Sequence, residues 1–113
     1  MLQHTHLKLL KYIEQNPSAS QRDLAKAVGV SVGKVNYCVK ALVEKGFVKA
    51  ANFGRSDHKL GYLYLLTPSG IEAKSNLTVS FLKRKIAEHD SIAKEITKLK
   101  QDLSDMESLK AST

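Results

Sequence analysis

The stretch SVGKVNYCVKALVEKG, residues 31–46, carries on one side a set of side chains suited to binding a polar surface. A serine at its start, a glycine at its end and apolar residues at helical spacing predict a helix. The other face of that helix would hold Gly33, Lys34, Asn36, Tyr37 and Lys40. Glycine and asparagine weaken a helix, and lysines clustered on one side repel each other. These residues are better explained by a surface that covers them than by helix stability.

Further helices are predicted around this stretch. Leu7, Leu10 and Ile13 have the spacing of one helix face, with Leu9 beside them, and the pattern ends before the turn-forming NPSAS. Ser20 is expected to cap a second helix, QRDLAKAV, that stops at Gly29. Ser31 then caps the third helix. Its apolar arc, predicted to be buried, consists of Val32, Val35, Val39 and Leu42.

Two short helices joined by a glycine-containing turn match the helix-turn-helix pattern. The stretches FVKAANF and YLYLL read as strands, and the polar GRSDHKLG lies between them, so a β-hairpin wing follows. Thr67 and Pro68 have the residue types that begin a last helix. The predicted fold class is mainly α with a small β-hairpin wing, an α+β winged helix-turn-helix, plus a long C-terminal dimerisation or coiled-coil helix.

The last helix carries a heptad pattern with one polar exception, Lys85 at position d. A sustained stripe at positions a and d is typical of coiled coils, and we predict that two copies associate through it. A single helix packed back along its own domain is the alternative. The predicted dimerisation residues are Leu82, Ile86, His89, Ile92, Ile96, Leu99, Leu103 and Met106. Residues 1–70 would form the winged domain, and residues 71–113 the helical dimerisation segment.

Charge is unevenly distributed along the chain. Residues 1–70 hold ten basic and four acidic residues, a balance of +6, whereas residues 71–113 hold eight and seven, a balance of +1. The net positive charge of residues 1–70 favours a polyanionic partner. The N-terminus lacks the apolar core of a signal peptide, and no stretch is apolar enough to span a membrane, so we expect a soluble, cytoplasmic protein.

No enzyme chemistry is indicated. Cys38 is the single cysteine, which excludes an internal disulfide and fits a reducing compartment; we interpret it as a buried thiol rather than a redox sensor. The histidines do not cluster as metal ligands, and no nucleophile motif or phosphate-binding glycine loop is present. We therefore predict no catalytic residues, no metal and no cofactor.

Two stretches, SQRDLAKAVGVSVGKVNYCVKALVEKGFVK and GRSDHKLGYLYLLTPSGIEA, resemble the MarR-type winged helix-turn-helix regulators. They are similar to that family's helix-turn-helix, first strand, wing, returning strand and start of the next helix. The short length and the long tail helix are most similar to the small subgroup associated with exopolysaccharide gene clusters. Larger members have an extra N-terminal helix and a ligand pocket between their dimer and DNA-binding parts, and the resemblance does not extend to such an effector site.

The polar helix face, the charge and the resemblance together predict a homodimeric regulator of transcription, a repressor, bound to a pseudo-palindromic site in double-stranded DNA. The helix at residues 31–45 would enter the major groove, and the wing at residues 53–61 the minor groove. The predicted DNA-binding residues are Ser20, Gln21, Ser31, Gly33, Lys34, Asn36, Tyr37, Lys40, Arg55, His58 and Lys59. The alternative is a winged-helix adaptor module whose tail helix binds a partner protein.

Overall fold

The computed structural model describes residues 4–52 and 62–112. The elements are α1 (His4–Gln15), α2 (Gln21–Val28), α3 (Val32–Glu44), β1 (Val48–Asn52), β2 (Tyr62–Leu66) and α4 (Pro68–Ala111). The predicted fold class, a winged helix-turn-helix with a long C-terminal helix, is confirmed. The residues predicted for the wing tip, Arg55, His58 and Lys59, lie outside the described residues.

Helix α2 is fixed at both ends by the residues that the sequence indicated. The Ser20 hydroxyl accepts the Asp23 backbone N–H at 3.0 Å, and the Asp23 carboxylate accepts the Ser20 backbone N–H, also at 3.0 Å. This reciprocal pair is a capping box, and the backbone hydrogen bond holds the pKa of Asp23 below its ordinary value. Gly29 ends the helix with a φ of 79°, in the left-handed region that favours glycine.

Helix α3 begins three residues after that glycine, so the turn between the two helices is short. The Ser31 hydroxyl accepts the Lys34 backbone N–H at 3.1 Å and caps α3. The buried residues of the helix are Val35, Cys38, Val39 and Leu42. The prediction that Val32 is buried is wrong, because its side chain is 45% exposed. At 100° per residue Val32 lies at the margin of an arc centred between Val35 and Leu42, and Cys38 takes a buried position on the other side.

The core is formed where the three helices meet the two strands. Its largest fully buried side chains come from the three helices and β1: Leu9, Leu10, Ile13, Leu24, Val35, Leu42 and Val48. Burying one such aliphatic side chain contributes about 1.5–3 kcal/mol to folding. The helix-turn-helix is therefore held by apolar contact with α1 and the hairpin, which leaves the other side of α3 free to face outwards.

Strands β1 and β2 pair antiparallel, with Val48 opposite Leu66 and Ala50 opposite Tyr64. Directly opposite residues share one face of a sheet, and on this face Val48 and Tyr64 are buried in the core. The backbone N–H of Tyr64 donates to the Pro17 carbonyl oxygen at 3.0 Å. This hydrogen bond ties β2 to the connection between α1 and α2.

The end of α3 and the start of α4 meet at a hydrogen-bonded junction. The Thr67 backbone N–H donates to the Phe47 carbonyl oxygen at 3.1 Å, and the Thr67 hydroxyl donates to the Gly46 carbonyl oxygen. The Ser69 hydroxyl donates to the same Gly46 oxygen at 3.0 Å, and the Gly70 N–H donates to the Thr67 hydroxyl at 3.0 Å. Thr67 therefore caps α4, as predicted, and also anchors it to the turn after α3.

The chain divides into two compact units, Met1–Thr78 and Val79–Thr113. The observed boundary lies inside α4, whereas the sequence predicted one after residue 70. The first turns of α4 belong to the first unit because Gly70 and Ala73 are buried there and Lys74 forms an ion pair with Glu14. Among the described residues, no helix is long and apolar enough to cross a membrane.

Replacement of Gly70 by alanine should destabilise the protein, although alanine is the better helix former. A Cβ at this position would lie 2.0 Å from the Phe47 carbonyl oxygen, so Gly70→Ala forces α4 away from the turn. We expect a loss of about 1–3 kcal/mol in the free energy of unfolding, measured by urea denaturation. Gly33→Ala is the matched control, because a Cβ there meets nothing closer than the Ser31 hydroxyl at 3.9 Å. It should stabilise the protein by up to about 1 kcal/mol. Equal effects of the two variants would contradict the close contact.

His6 gives a pH prediction. Its side chain is only 7% exposed, and burial, followed by nearby positive charges that include Lys34 and Lys45, lowers its pKa. The unfolded chain therefore binds a proton at this site more readily than the folded one below about pH 6.5, and stability falls as pH drops through that range. Thermal unfolding between about pH 7.5 and pH 5.5 should show this decline, and His6→Gln should make it shallower. An unchanged slope in the variant would exclude His6 as the cause.

Candidate nucleic-acid interface

The face of α3 opposite the core is exposed along its length. Gly33, Lys34, Asn36, Tyr37 and Lys40 are all exposed, and Tyr37 is 75% exposed. The face holds two ammonium groups, an amide and a phenol on a rigid helix whose other side is buried. It can therefore offer hydrogen-bond donors and positive charge to a flat or grooved anionic partner.

The first turns of α2 and α3 provide additional donors beside this face. Ser20 and Ser31 are exposed, and each hydroxyl oxygen accepts a backbone N–H of its own helix. A serine hydroxyl that accepts through its oxygen still has its own proton to donate. Helix N-termini also carry partial positive charge, so both positions can receive an anionic oxygen.

A hydrogen-bond chain connects the exposed face to the hairpin. The Gln21 amide nitrogen donates to the Asn36 amide oxygen at 3.3 Å and to the Tyr64 hydroxyl at 3.2 Å. These three residues come from α2, α3 and β2, and we call them the amide–tyrosine chain. Gln21 is half-buried and uses its amide nitrogen within the protein, while Asn36 remains exposed.

The sequence prediction included Gln21 and Asn36 but missed Tyr64. YLYLL was interpreted only as a strand, yet the alternation of a half-buried strand puts Tyr64 on the same face as Leu66. A tyrosine that faces a core usually needs a partner for its hydroxyl. That rule would have directed attention to a polar residue on a neighbouring helix, although it would not have identified Gln21.

An open cleft of about 380 Å³ lies between α3 and the hairpin. The small Ala50 stands opposite Tyr64 in the strand pair, and both residues line the cleft. The cleft brings together three predicted site residues, Gln21, Asn36 and Lys40, whereas Gly33 and Lys34 do not line it. Its full lining is Gln21, Asn36, Val39, Lys40, Val43, Glu44, Ala50 and Tyr64.

The second unit exposes an apolar stripe along α4. Its large side chains are between 47% and 69% exposed: Val79, Leu82, Ile86, Ile92, Ile96, Leu99, Leu103, Met106 and Leu109. Lys85, the polar exception in the heptad pattern, lies 3.2 Å from the Glu88 carboxylate and 5.9 Å from the centre of the Phe81 ring. Val79, Leu82 and Ile86 are three and four positions apart and so share one face of α4. The apolar stripe therefore runs past Lys85 without including that residue.

The remaining candidate groups are a buried thiol and an exposed histidine. Cys38 is 2% exposed and packs in the core, which agrees with its interpretation as a structural thiol. His89 is exposed, and its Nδ1 lies 3.6 Å from the Asp90 carboxylate. Over residues 4–52 and 62–112, no three His, Cys, Asp or Glu side chains come together as a metal site.

Residues 2–49 match a protein family described as winged helix-turn-helix DNA-binding. The matched segment contains α1, α2 and α3 and reaches the start of β1. A comparison with curated protein sequences gave no match.

Several solved structures share the fold. PcaV, a transcriptional regulator from Streptomyces coelicolor solved with its natural ligand, aligns with a TM-score of 0.63 and 18% identity over 73% of this chain. FabT of Streptococcus pneumoniae, solved in complex with DNA, aligns with a TM-score of 0.56 and 19% identity over 93% of this chain. MepR, a transcription regulator of a Staphylococcus aureus multidrug efflux pump, aligns with a TM-score of 0.55 and 20% identity over 90% of this chain. The aligned part spans 57% of PcaV, 78% of FabT and 80% of MepR.

Proposed function

We propose that this protein is a homodimeric, sequence-specific regulator of transcription, acting as a repressor on a pseudo-palindromic site in double-stranded DNA. The observation that carries the proposal is the exposed cationic and amide-bearing face of α3 within a winged helix-turn-helix domain. In this role α3 lies in the major groove and residues 53–61 approach the minor groove.

The two faces of α3 support this role. Its apolar side is buried by α1, α2 and the hairpin, so the helix is fixed rigidly enough to present the opposite side in one geometry. The face so presented is polar and basic, and residues 1–70 carry ten basic against four acidic residues. An adaptor module would bind its partner through the tail helix, and the polar, basic face of α3 would then have no ligand.

Each residue on the face has a distinct proposed contact. Asn36 can form two hydrogen bonds with an adenine edge, and Lys34 or Lys40 can bind guanine or a phosphate. Tyr37 is suited to a thymine methyl group or a phosphate. Gly33 lacks a side chain, so the helix backbone can approach the DNA closely. One good base contact discriminates by about 1–3 kcal/mol.

The helix N-termini are proposed to bind phosphates. Ser20 and Ser31 can donate through their hydroxyl protons, as described above. Gln21 uses its side-chain amide nitrogen inside the protein, so we assign its phosphate contact to its backbone N–H in the first turn of α2.

Dimerisation is proposed to occur through the apolar stripe of α4. Nine large apolar side chains exposed along one helix are typical of an interface with another chain. A second copy is the occupant that a regulator needs, because a two-fold dimer matches a pseudo-palindromic site. It would put two α3 helices in successive major grooves about 34 Å apart.

The comparisons support this proposal at the level of fold and class. FabT, which shares the fold, was solved in complex with DNA. PcaV and MepR, which also share the fold, are transcription regulators, the class that the sequence resemblance implies. Membership of the small exopolysaccharide-associated subgroup and the repressor role remain proposals from the sequence.

Selection of bound sequences from random DNA tests the proposed function, and recovery of a two-fold motif is expected.

Lys40→Ala should then weaken binding to every sequence and lower the slope of log affinity against log salt by about 1. Asn36→Ala should instead relax the preference at one base position in each half-site. Retention of that preference in Asn36→Ala would remove the base-reading assignment, and failure to recover any motif would remove the proposed function.

The oligomeric state gives a separate test. Sedimentation equilibrium at tens of micromolar should report a dimer. Leu99→Glu puts a charge on the apolar stripe and should shift the protein to monomer, because burying an unpaired carboxylate is costly. Gln101→Glu is the matched control, since it adds the same charge on the opposite side of α4 and should leave the dimer intact. A monomeric unmodified protein would contradict the homodimer.

A further inference from the structure

We propose that Tyr64 is a specificity-determining positioning residue, acting through Gln21 to fix the amide of Asn36 in the orientation that reads a base. The role rests on the proposed function. Under this inference, strand β2 contributes to the discrimination between bases, together with the exposed face of α3.

The position of Tyr64 is fixed at both ends. Its side chain is 7% exposed and packs in the core, and its backbone N–H donates to the Pro17 carbonyl oxygen at 3.0 Å. The hydroxyl then reaches Gln21, which follows Pro17 by one short turn of chain. Because ring and backbone are both held, the hydroxyl is a rigid reference point for the groups that bind it.

Gln21 transmits this constraint. Its amide nitrogen has two N–H groups, and it makes two donations, one to the Tyr64 hydroxyl at 3.2 Å and one to the Asn36 amide oxygen at 3.3 Å. Rotation of the Gln21 amide alone would put its oxygen against the Asn36 oxygen, so the two amides can turn only together. Gln21, held in place by the Tyr64 hydroxyl, therefore keeps the Asn36 oxygen directed towards α2.

The consequence for Asn36 is a defined donor and acceptor pattern. Its oxygen accepts from Gln21 and keeps one lone pair, and its amide nitrogen donates to no residue in the described part of the chain. An adenine edge needs one donor and one acceptor from the side chain that reads it. A free asparagine amide can turn over and exchange its nitrogen with its oxygen, which would blur this pattern. In this protein the exchange at Asn36 would require the Gln21 amide to turn as well, because two amide nitrogens, or two amide oxygens, cannot pair with each other.

Tyr64→Phe tests the inference, because it removes the hydroxyl and keeps the buried ring. Once a motif has been selected with the unmodified protein, affinities are measured for all four bases at the position that Asn36→Ala relaxes. We expect the ratio between the preferred and the next base to fall about fivefold or more in Tyr64→Phe, which corresponds to the low end of the discrimination from one base contact. The salt slope should be unchanged, and the free energy of unfolding should fall by no more than about 1 kcal/mol, the cost of one lost hydrogen bond.

Two further variants sharpen the result. Tyr12→Phe makes the same chemical change in a half-buried tyrosine of α1, outside the interface, and should leave the ratio unchanged. The double variant Asn36→Ala with Tyr64→Phe should discriminate no worse at that position than Asn36→Ala alone, because Tyr64 acts through Asn36.

The outcomes separate this inference from the proposed function. If the Tyr64→Phe variant keeps the full base preference at that position, the role of Tyr64 is overturned and the proposed DNA binding stands. Equal weakening on all sequences, together with a lower thermal midpoint, would assign Tyr64 to stability alone and also overturn it. Failure of the unmodified protein to select any motif would remove the proposed function, and this role with it.

Discussion

The architecture depends on the burial of one side of α3. Val35 and Leu42 are fully buried, and α3 packs against α1, α2 and β1, so this helix joins most elements of the core of the first unit. Apolar burial is non-directional, but the turn at Gly29 and the cap at Ser31 allow the helix only one rotation about its axis. The outward face is therefore determined by which residues face inwards.

That arrangement accounts for residues on α3 that lower helix propensity. Gly33 and Asn36 each cost stability relative to alanine in an exposed helix. They are tolerated because the core on the opposite face supplies several kcal/mol. Residues that weaken a helix or strand, and that add no packing or hydrogen bond to the fold, are commonly found where function requires them. The proposed DNA contact gives these two positions such a function.

Local features were predictable from the sequence, and distant contacts were not. The cap at Ser20, the turn at Gly29 and the start of α4 at Thr67 each depend on residues a few positions apart, and all three predictions were confirmed. The Gln21–Tyr64 hydrogen bond joins residues 43 positions apart, and the contact of Gly70 with Phe47 depends on how α4 meets the turn after α3. Val32 was misassigned because helical spacing gives the direction of a face but not how far the neighbouring elements extend over it.

The amide–tyrosine chain has a consequence for protein engineering. Exchange of α3 alone between winged helix-turn-helix proteins would transfer Asn36 without the glutamine and the tyrosine that orient it. On the proposed assignment, the recognition unit is not a helix but a helix together with the first residue of its neighbour and one position on a strand. A graft that aims to move base preference would have to carry all three positions, and natural change of that preference would require them to vary together.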